Sequence, residues 1–308
     1  MPKRPSAFSI FDNLNFKYFC RRCLRDFATM DYSGRLNWAC CNACATLYVS
    51  AKGRRKVTVS DTISFVQEQG IATLSFDNPA RRNALGVTEL TAIDAALDAL
   101  QPATRVLIIT SSDDRIFCAG ADLSQILEGV ISGDRFQSVT NRIAALPIPT
   151  IAVLTGNVFG GGAELALSCD FRIGRAGMIL RIPAAAIGLC YPVEGIERLT
   201  RRLGPNLCKR LLVAAETFSS EQLLAHQLLD SVHSADEVRG AGRAYAETLL
   251  KLAPLSVSTM LDMIRQIEVG TYARADAERR AKHCADSEDL QEGIRAQREK
   301  RTPLFHGR

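Results

Sequence analysis

The 308-residue sequence predicts an α/β protein, and three local patterns carry that expectation. Residues 57–66 and 71–76 alternate apolar and polar as paired strands do, with 67–70 as the turn between them. Residues 105–112 read as a buried strand that leaves through a loop into a helical stretch beginning at Ala121 and Asp122. Residues 148–154 read as a second such strand, behind Pro147 and Pro149, delivering the chain to Gly160, Gly161 and Gly162 and a helix. Between these lies a helix over 88–100 with Thr88 as its N-cap, and 219–229 reads as a further capped helix. From about residue 205 onward the chain is expected to be largely helical, with no internal repeat or low-complexity tract.

The run from Val158 to Asp170 is the most informative. Backbone amides at a helix start have no intrahelical acceptor and carry the positive end of the helix dipole, so they suit a negatively charged oxygen. Glycine there lets a ligand approach the backbone. Glu164 falls three residues after Gly161, in an otherwise apolar turn, where an idle carboxylate is a costly burial. The amides of Ala121 and Gly161, from two separate strand-to-helix turns, form the expected oxyanion-hole pair. An acid/base would then face an activated carbonyl.

These residues resemble the enoyl-CoA hydratase/isomerase, or crotonase, superfamily from about Ile63 to the C-terminus. Residues 78–85 look like its first CoA-contacting loop, 117–123 like its AGAD loop and 160–170 like its GGG-x-E helix. Residues 198–204, 286–293 and Lys300-Arg301 resemble later landmarks. The resemblance implies a spiral of ββα units with a helical C-terminal region and an acyl-CoA thioester as substrate. It also implies CoA contacts from Arg82, Ala84, Ala119, Ala121, Asp122 and Leu123, and a homotrimer or hexamer. Lys300, Arg301 and Phe305 are a further candidate contact with CoA.

One departure bears on the reaction. Hydratases of this family hold water between two glutamates, the second directly after a proline, whereas here Pro183 is followed by Ala184. A single carboxylate, Glu164, suffices for double-bond isomerisation. Alternatively Glu164 activates water while Tyr191, Glu194 or an ordered water serves as the second group. A third reading follows from residues 185–196, which are similar to methylmalonyl-CoA decarboxylase, with Tyr191 in place of its tyrosine; the histidine of that enzyme's oxyanion loop is Ala121 here. The non-enzyme alternative is a catalytically silent CoA-binding protein.

Composition, at 47% hydrophobic and 23% charged residues, is that of an ordinary globular protein. The net charge of +5 is too diffuse to argue for nucleic acid. No apolar run long enough to span a membrane and no secretory h-region is visible, so cytoplasmic residence is expected. No nucleophile elbow, zinc-protease helix, phosphate loop or dinucleotide fingerprint occurs. Of ten cysteines, five are scattered and behave as small apolar residues. The other five lie between Cys20 and Cys44, where Cys20/Cys23 and Cys41/Cys44 form two C-x2-C knuckles seventeen residues apart. That spacing predicts a four-thiolate structural zinc, with Cys40 able to replace Cys41. Residues 1–56 are accordingly expected to be a zinc-ribbon-like module and basic linker, with a protein partner as a candidate ligand of the ribbon, and 57–308 the acyl-CoA domain.

Overall fold

A computed structural model describes residues 46–49 and 55–308 of the chain. Strands β1 (Thr46–Val49) and β2 (Arg55–Thr58) pair antiparallel, and β2 pairs in turn with β3 (Ile63–Glu68). The strand expected over 57–66 is therefore two strands. Ser60 and Asp61 interrupt it, the Ser60 hydroxyl accepting from the Thr62 amide at 3.3 Å, a local bond that competes with the ladder. β3 turns into β4 (Ile71–Phe76) through Gln69 and Gly70, at φ 52° and 81°, the left-handed pair that a two-residue hairpin favours. Arg55 and Lys56, read from the sequence as linker, lie inside β2, so this sheet crosses the expected boundary at residue 56.

After α1 (Val87–Asp98), one unit recurs. β5 (Val106–Ser111) and β6 (Ile116–Cys118) are followed by α2 (Leu123–Leu127) and α3 (Gly133–Ala144). β7 (Thr150–Leu154) and β8 (Asn157–Phe159) are followed by α4 (Gly161–Ser168), and β9 (Phe171–Arg175) and β10 (Ile179–Arg181) by α5 (Val193–Cys208). The chain continues through β11 (Thr217–Ser219), α6 (Ser220–Ala225) and β12 (Ser231–His233) into α7 (Val238–Leu250), α8 (Pro254–Val269), α9 (Arg274–Ala285) and α10 (Glu288–Glu299). The first strand of each pair joins a sheet of order β1-β2-β3-β4-β5-β7-β9-β12, and the second a sheet of order β11-β10-β8-β6. Successive ββα units thus advance along two sheets together, which is the spiral that the sequence implied.

β5 is buried at every position because both of its faces are covered. Leu107 and Ile109 enter the main core with Leu74, Phe76 and Phe117, while Val106 and Ile108 enter a second core under Val238 and Ala246 of α7. A strand covered on both faces reads as a continuous apolar run, as this one does. α1 is capped by Gly86 rather than Thr88, since the Glu89 carboxylate returns to accept from the Gly86 amide at 2.9 Å. α5 is broken at Gly204, φ 74°, where Pro205 supplies no amide hydrogen to the ladder. Among the described residues no helix is long and apolar enough to cross a membrane.

Candidate active site

β6 and β8 are parallel neighbours in the smaller sheet, with Cys118 opposite Val158, so the loops leaving their C-terminal ends emerge side by side. From β6 the chain runs Ala119, Gly120, Ala121 and into α2, whose N-cap is Asp122. From β8 it turns at Gly160, φ 50°, into α4. The two turns touch through backbone: a Cβ on Gly120, which sits at φ 91°, would lie 2.7 Å from Gly161 N and 2.8 Å from Phe159 O. Only glycine fits there. Neither the Ala121 nor the Gly161 amide donates to an acceptor among the described residues. The ring of Phe136 lies directly over Gly161.

A third segment is laced onto this pair. Leu85 N donates to Gly120 O at 2.8 Å, Asp122 N to Leu85 O at 3.0 Å and Ala119 N to Arg82 O at 3.0 Å. Arg82, Ala84, Ala119, Ala121, Asp122 and Leu123, all expected at the CoA, are therefore brought together. Buried Asn83 fixes the segment: its Nδ2 donates to Ser111 Oγ (2.8 Å) and to the Ile116 and Phe117 carbonyls (both 3.1 Å), and its Oδ1 accepts from Asn78 N at 2.8 Å. The Asp122 carboxylate is occupied within the loop, accepting from Ser124 N at 3.1 Å and from Arg81 at 2.6 Å. Arg82 and Leu123 are exposed.

Glu164 is 1% exposed on α4, which is buried from Gly162 to Ser168. Its Oε1 pairs with the Arg198 guanidinium of α5 and accepts a long bond from Gln137 Nε2 of α3 at 3.4 Å. Its Oε2 accepts from the Tyr191 hydroxyl at 3.3 Å. Arg198 is further oriented by Ser168 Oγ at 3.2 Å and by Asn141. Burial, and then the adjacent Glu164 charge, push the Tyr191 phenol well above its usual value, so Tyr191 is a neutral donor. The backbone at Gly195 closes this pocket, since a Cβ there would lie 2.7 Å from the Tyr191 ring and 3.0 Å from Glu164 Oε2. Burying a charge demands a partner of this kind; removing one member of a buried pair costs about 3–5 kcal/mol.

Of the three residues expected to act chemically, Glu164 and Tyr191 are in contact. Glu194 is not beside them: it is exposed, bonded to Asn141, and joined to Glu164 only through Asn141 and Arg198. Ala184 is buried in the core cluster that also contains Tyr191. Arg198, Gln137 and Asn83 were not singled out from the sequence. Arg198 had a signal, because a carboxylate in an apolar helix turn requires a cation from elsewhere in the chain. A cavity of about 520 Å³ between α3, α5 and α8 reaches Arg198 and Glu194, yet its wall includes none of Glu164, Ala121 and Gly161.

The tail lies against its own helix. Arg301 pairs with Glu292 and Glu299, the Phe305 ring approaches Gly293, and buried Asp289 accepts from the His306 and Gly307 amides at 2.7 and 2.9 Å. Arg301 is thus engaged with carboxylates of this chain. Cys20, Cys23, Cys40, Cys41 and Cys44 lie outside the described residues, among which no group of three metal-binding side chains occurs.

A family model described as enoyl-CoA hydratase/isomerase matches residues 66–308. The chain is 33% identical over 253 residues to the Bos taurus protein called enoyl-CoA hydratase domain-containing protein 2, mitochondrial, covering 78% of this chain and 85% of that one. It is 31% identical over 263 residues to a crotonyl-CoA hydratase of Syntrophomonas wolfei, covering 80% and 98%. Among solved structures, an enoyl-CoA hydratase from Polaromonas superposes with a TM-score of 0.73 at 27% identity, covering 79% of this chain and 99% of that one.

Proposed function

Because the chain belongs to the enoyl-CoA hydratase/isomerase family, we propose that it adds water to, or removes it from, an acyl-CoA thioester, with Glu164 moving the proton. The observation that carries this reading is Glu164 itself: a fully buried carboxylate, held on Oε1 by Arg198, one turn into the helix whose first amide meets the Gly120–Ala121 turn. In the hydration direction, Glu164 accepts a proton from water as its oxygen bonds to the β-carbon. The electron pair of the double bond moves to the thioester oxygen, held by the Ala121 and Gly161 amides. Glu164 then returns the proton to the α-carbon, so one carboxylate closes the cycle and Ala184 need supply nothing. Two preorganised amides at a developing enolate are worth several kcal/mol, about 2.7–4 for one donor. Arg82, Ala84, Ala119 and Leu123 are proposed to hold the CoA, with Asp122 keeping their loop in shape.

Ala184 favours a second reading, allylic isomerisation, which needs only one carboxylate and the same amides. Decarboxylation is disfavoured because the Tyr191 hydroxyl already donates to Glu164 and so is not free to hold a substrate carboxylate. The silent CoA-binding alternative asks nothing of Glu164 beyond its ion pair with Arg198 and its two hydrogen bonds. Purified protein given crotonyl-, 3-enoyl- or methylmalonyl-CoA in deuterated water separates these by product mass. Gain of water by crotonyl-CoA is expected; loss of carbon dioxide from methylmalonyl-CoA, or no change in any thioester, would overturn the reading.

A structural zinc on Cys20, Cys23, Cys41 and Cys44 is proposed on knuckle spacing alone. One zinc per chain, lost on Cys20→Ser, is expected, and zinc-free native protein would contradict it. Cytoplasmic residence and a trimeric or hexameric assembly belong to the same proposal, and cell fractionation and sedimentation velocity read them directly.

A further inference from the structure

Gln137 reaches Glu164 from α3. It is 5% exposed on α3, next to Phe136, whose ring covers Gly161. Its amide nitrogen is committed to Glu164 Oε1 at 3.4 Å and Thr140 Oγ1 at 3.3 Å. Turning the amide over would set its oxygen against the Glu164 carboxylate and leave that carboxylate one donor short, so the orientation is fixed by its neighbours. The other end of the amide, Oε1, is buried and has no hydrogen-bond partner among the described residues. Buried acceptors are nearly always satisfied, by protein or by water. An unsatisfied one beside a candidate acid/base therefore points to a group that donates a hydrogen bond.

We propose that Gln137 Oε1 accepts a hydrogen bond from the water that adds to the β-carbon, or from the β-hydroxyl that leaves, and so holds it against Glu164. The inference rests on the hydration reading above and deepens it. Water brings two protons: one is held by Gln137 Oε1 and stays on the oxygen that becomes the product hydroxyl. The other passes to Glu164 as the carbon–oxygen bond forms, and from Glu164 to the α-carbon. A neutral amide accepts no proton at working pH, so Gln137 orients and Glu164 carries all proton traffic. This divides between two side chains on α3 and α4 what a second carboxylate at position 184 would otherwise share. It also selects the substrate class: a 2-enoyl thioester with water, or its 3-hydroxyacyl product, satisfies Gln137 Oε1, whereas the isomerisation of a plain 3-enoyl thioester offers that oxygen no donor.

The test compares two reactions of the same enzyme. Hydration of crotonyl-CoA requires the added water, while exchange of the α-hydrogens of butyryl-CoA with deuterated water requires only Glu164 and the oxyanion amides. In Gln137→Met, or in Gln137→Leu if the first variant fails to fold, the ratio of the hydration kcat to the α-exchange rate is expected to fall about tenfold to a hundredfold with KM within about threefold of wild type, because losing the Nε2 donor to Glu164 slows both reactions alike while losing Oε1 slows hydration alone. A parallel fall in both reactions would show that Gln137 merely supports Glu164 and would overturn the proposal, as would unchanged hydration. Wild-type protein that exchanges without hydrating would remove the water-holding role and leave the enolate chemistry standing. Wild-type protein that does neither would overturn the enoyl-CoA reading and this inference with it.

Discussion

Glu164 is a carboxylate enclosed by protein, held there by side chains from distant parts of the sequence. Its ion-pair partner Arg198 is 34 positions later and Gln137 is 27 earlier, and no local pattern links residues so far apart. The role of Asn83 is hidden from the sequence for the same reason, since its contacts at Ser111 and Phe117 exist only once β5 and β6 are laid beside the 78–85 loop. Glu194, close to Tyr191 in sequence, proved distant in effect because α5 turns it outward to Asn141. The turns after β6 and β8 were legible because glycines mark them in the sequence, and their requirement is steric. That requirement gives a residue-scale prediction at Gly120, where an added Cβ meets the unyielding backbone of Gly161 and Phe159. Gly120→Ala is expected to lower kcat about a hundredfold to a thousandfold by displacing one of the paired amides. Gly177→Ala provides the control: its φ of 76° is equally unfavourable for alanine, yet nothing lies within 4 Å. It should lower thermal stability and leave kcat alone, and equal kcat losses in the two variants would refute the steric account.

At the scale of elements, the sequence located β4, β5 and β7 and the helix starts at Asp122, Gly161 and Ser219, where side-chain caps or glycine turns mark them. Boundaries moved where a competing local bond decided them. Ser60 split one strand into β2 and β3, and Glu89 drew the cap of α1 back to Gly86. α6 stops at Ala225, short of the expected residue 229, with His226 lying edge-on to Phe218. The fate of the tail was illegible because it depends on Asp289, a polar residue on a charged helix whose burial arises only when residues 306 and 307 fold back onto it. Arg301 accordingly holds the Glu292 carboxyl down to about 2, where a tail free to meet phosphates would have left both in solvent.

Across the whole molecule, the ββα repeat is what brings the turns after β6 and β8 into contact. Each unit gives one strand to each sheet, so β6 and β8 become neighbours although about forty residues separate them in sequence. Their following loops then meet without any long-range design in either one. The family resemblance anticipated this spiral from motifs in register; the pairing of α3, α4 and α5 around Glu164 emerged only from the fold. Whether this buried carboxylate moves the proton is read by the single-turnover rate of crotonyl-CoA hydration by Glu164→Gln, with CoA affinity and circular dichroism measured on the same preparation. The amide keeps the shape and cannot take the proton, so the rate should fall at least about a hundredfold while CoA binding persists. A folded Glu164→Gln protein that hydrates within a few-fold of wild type would rule Glu164 out as the proton carrier.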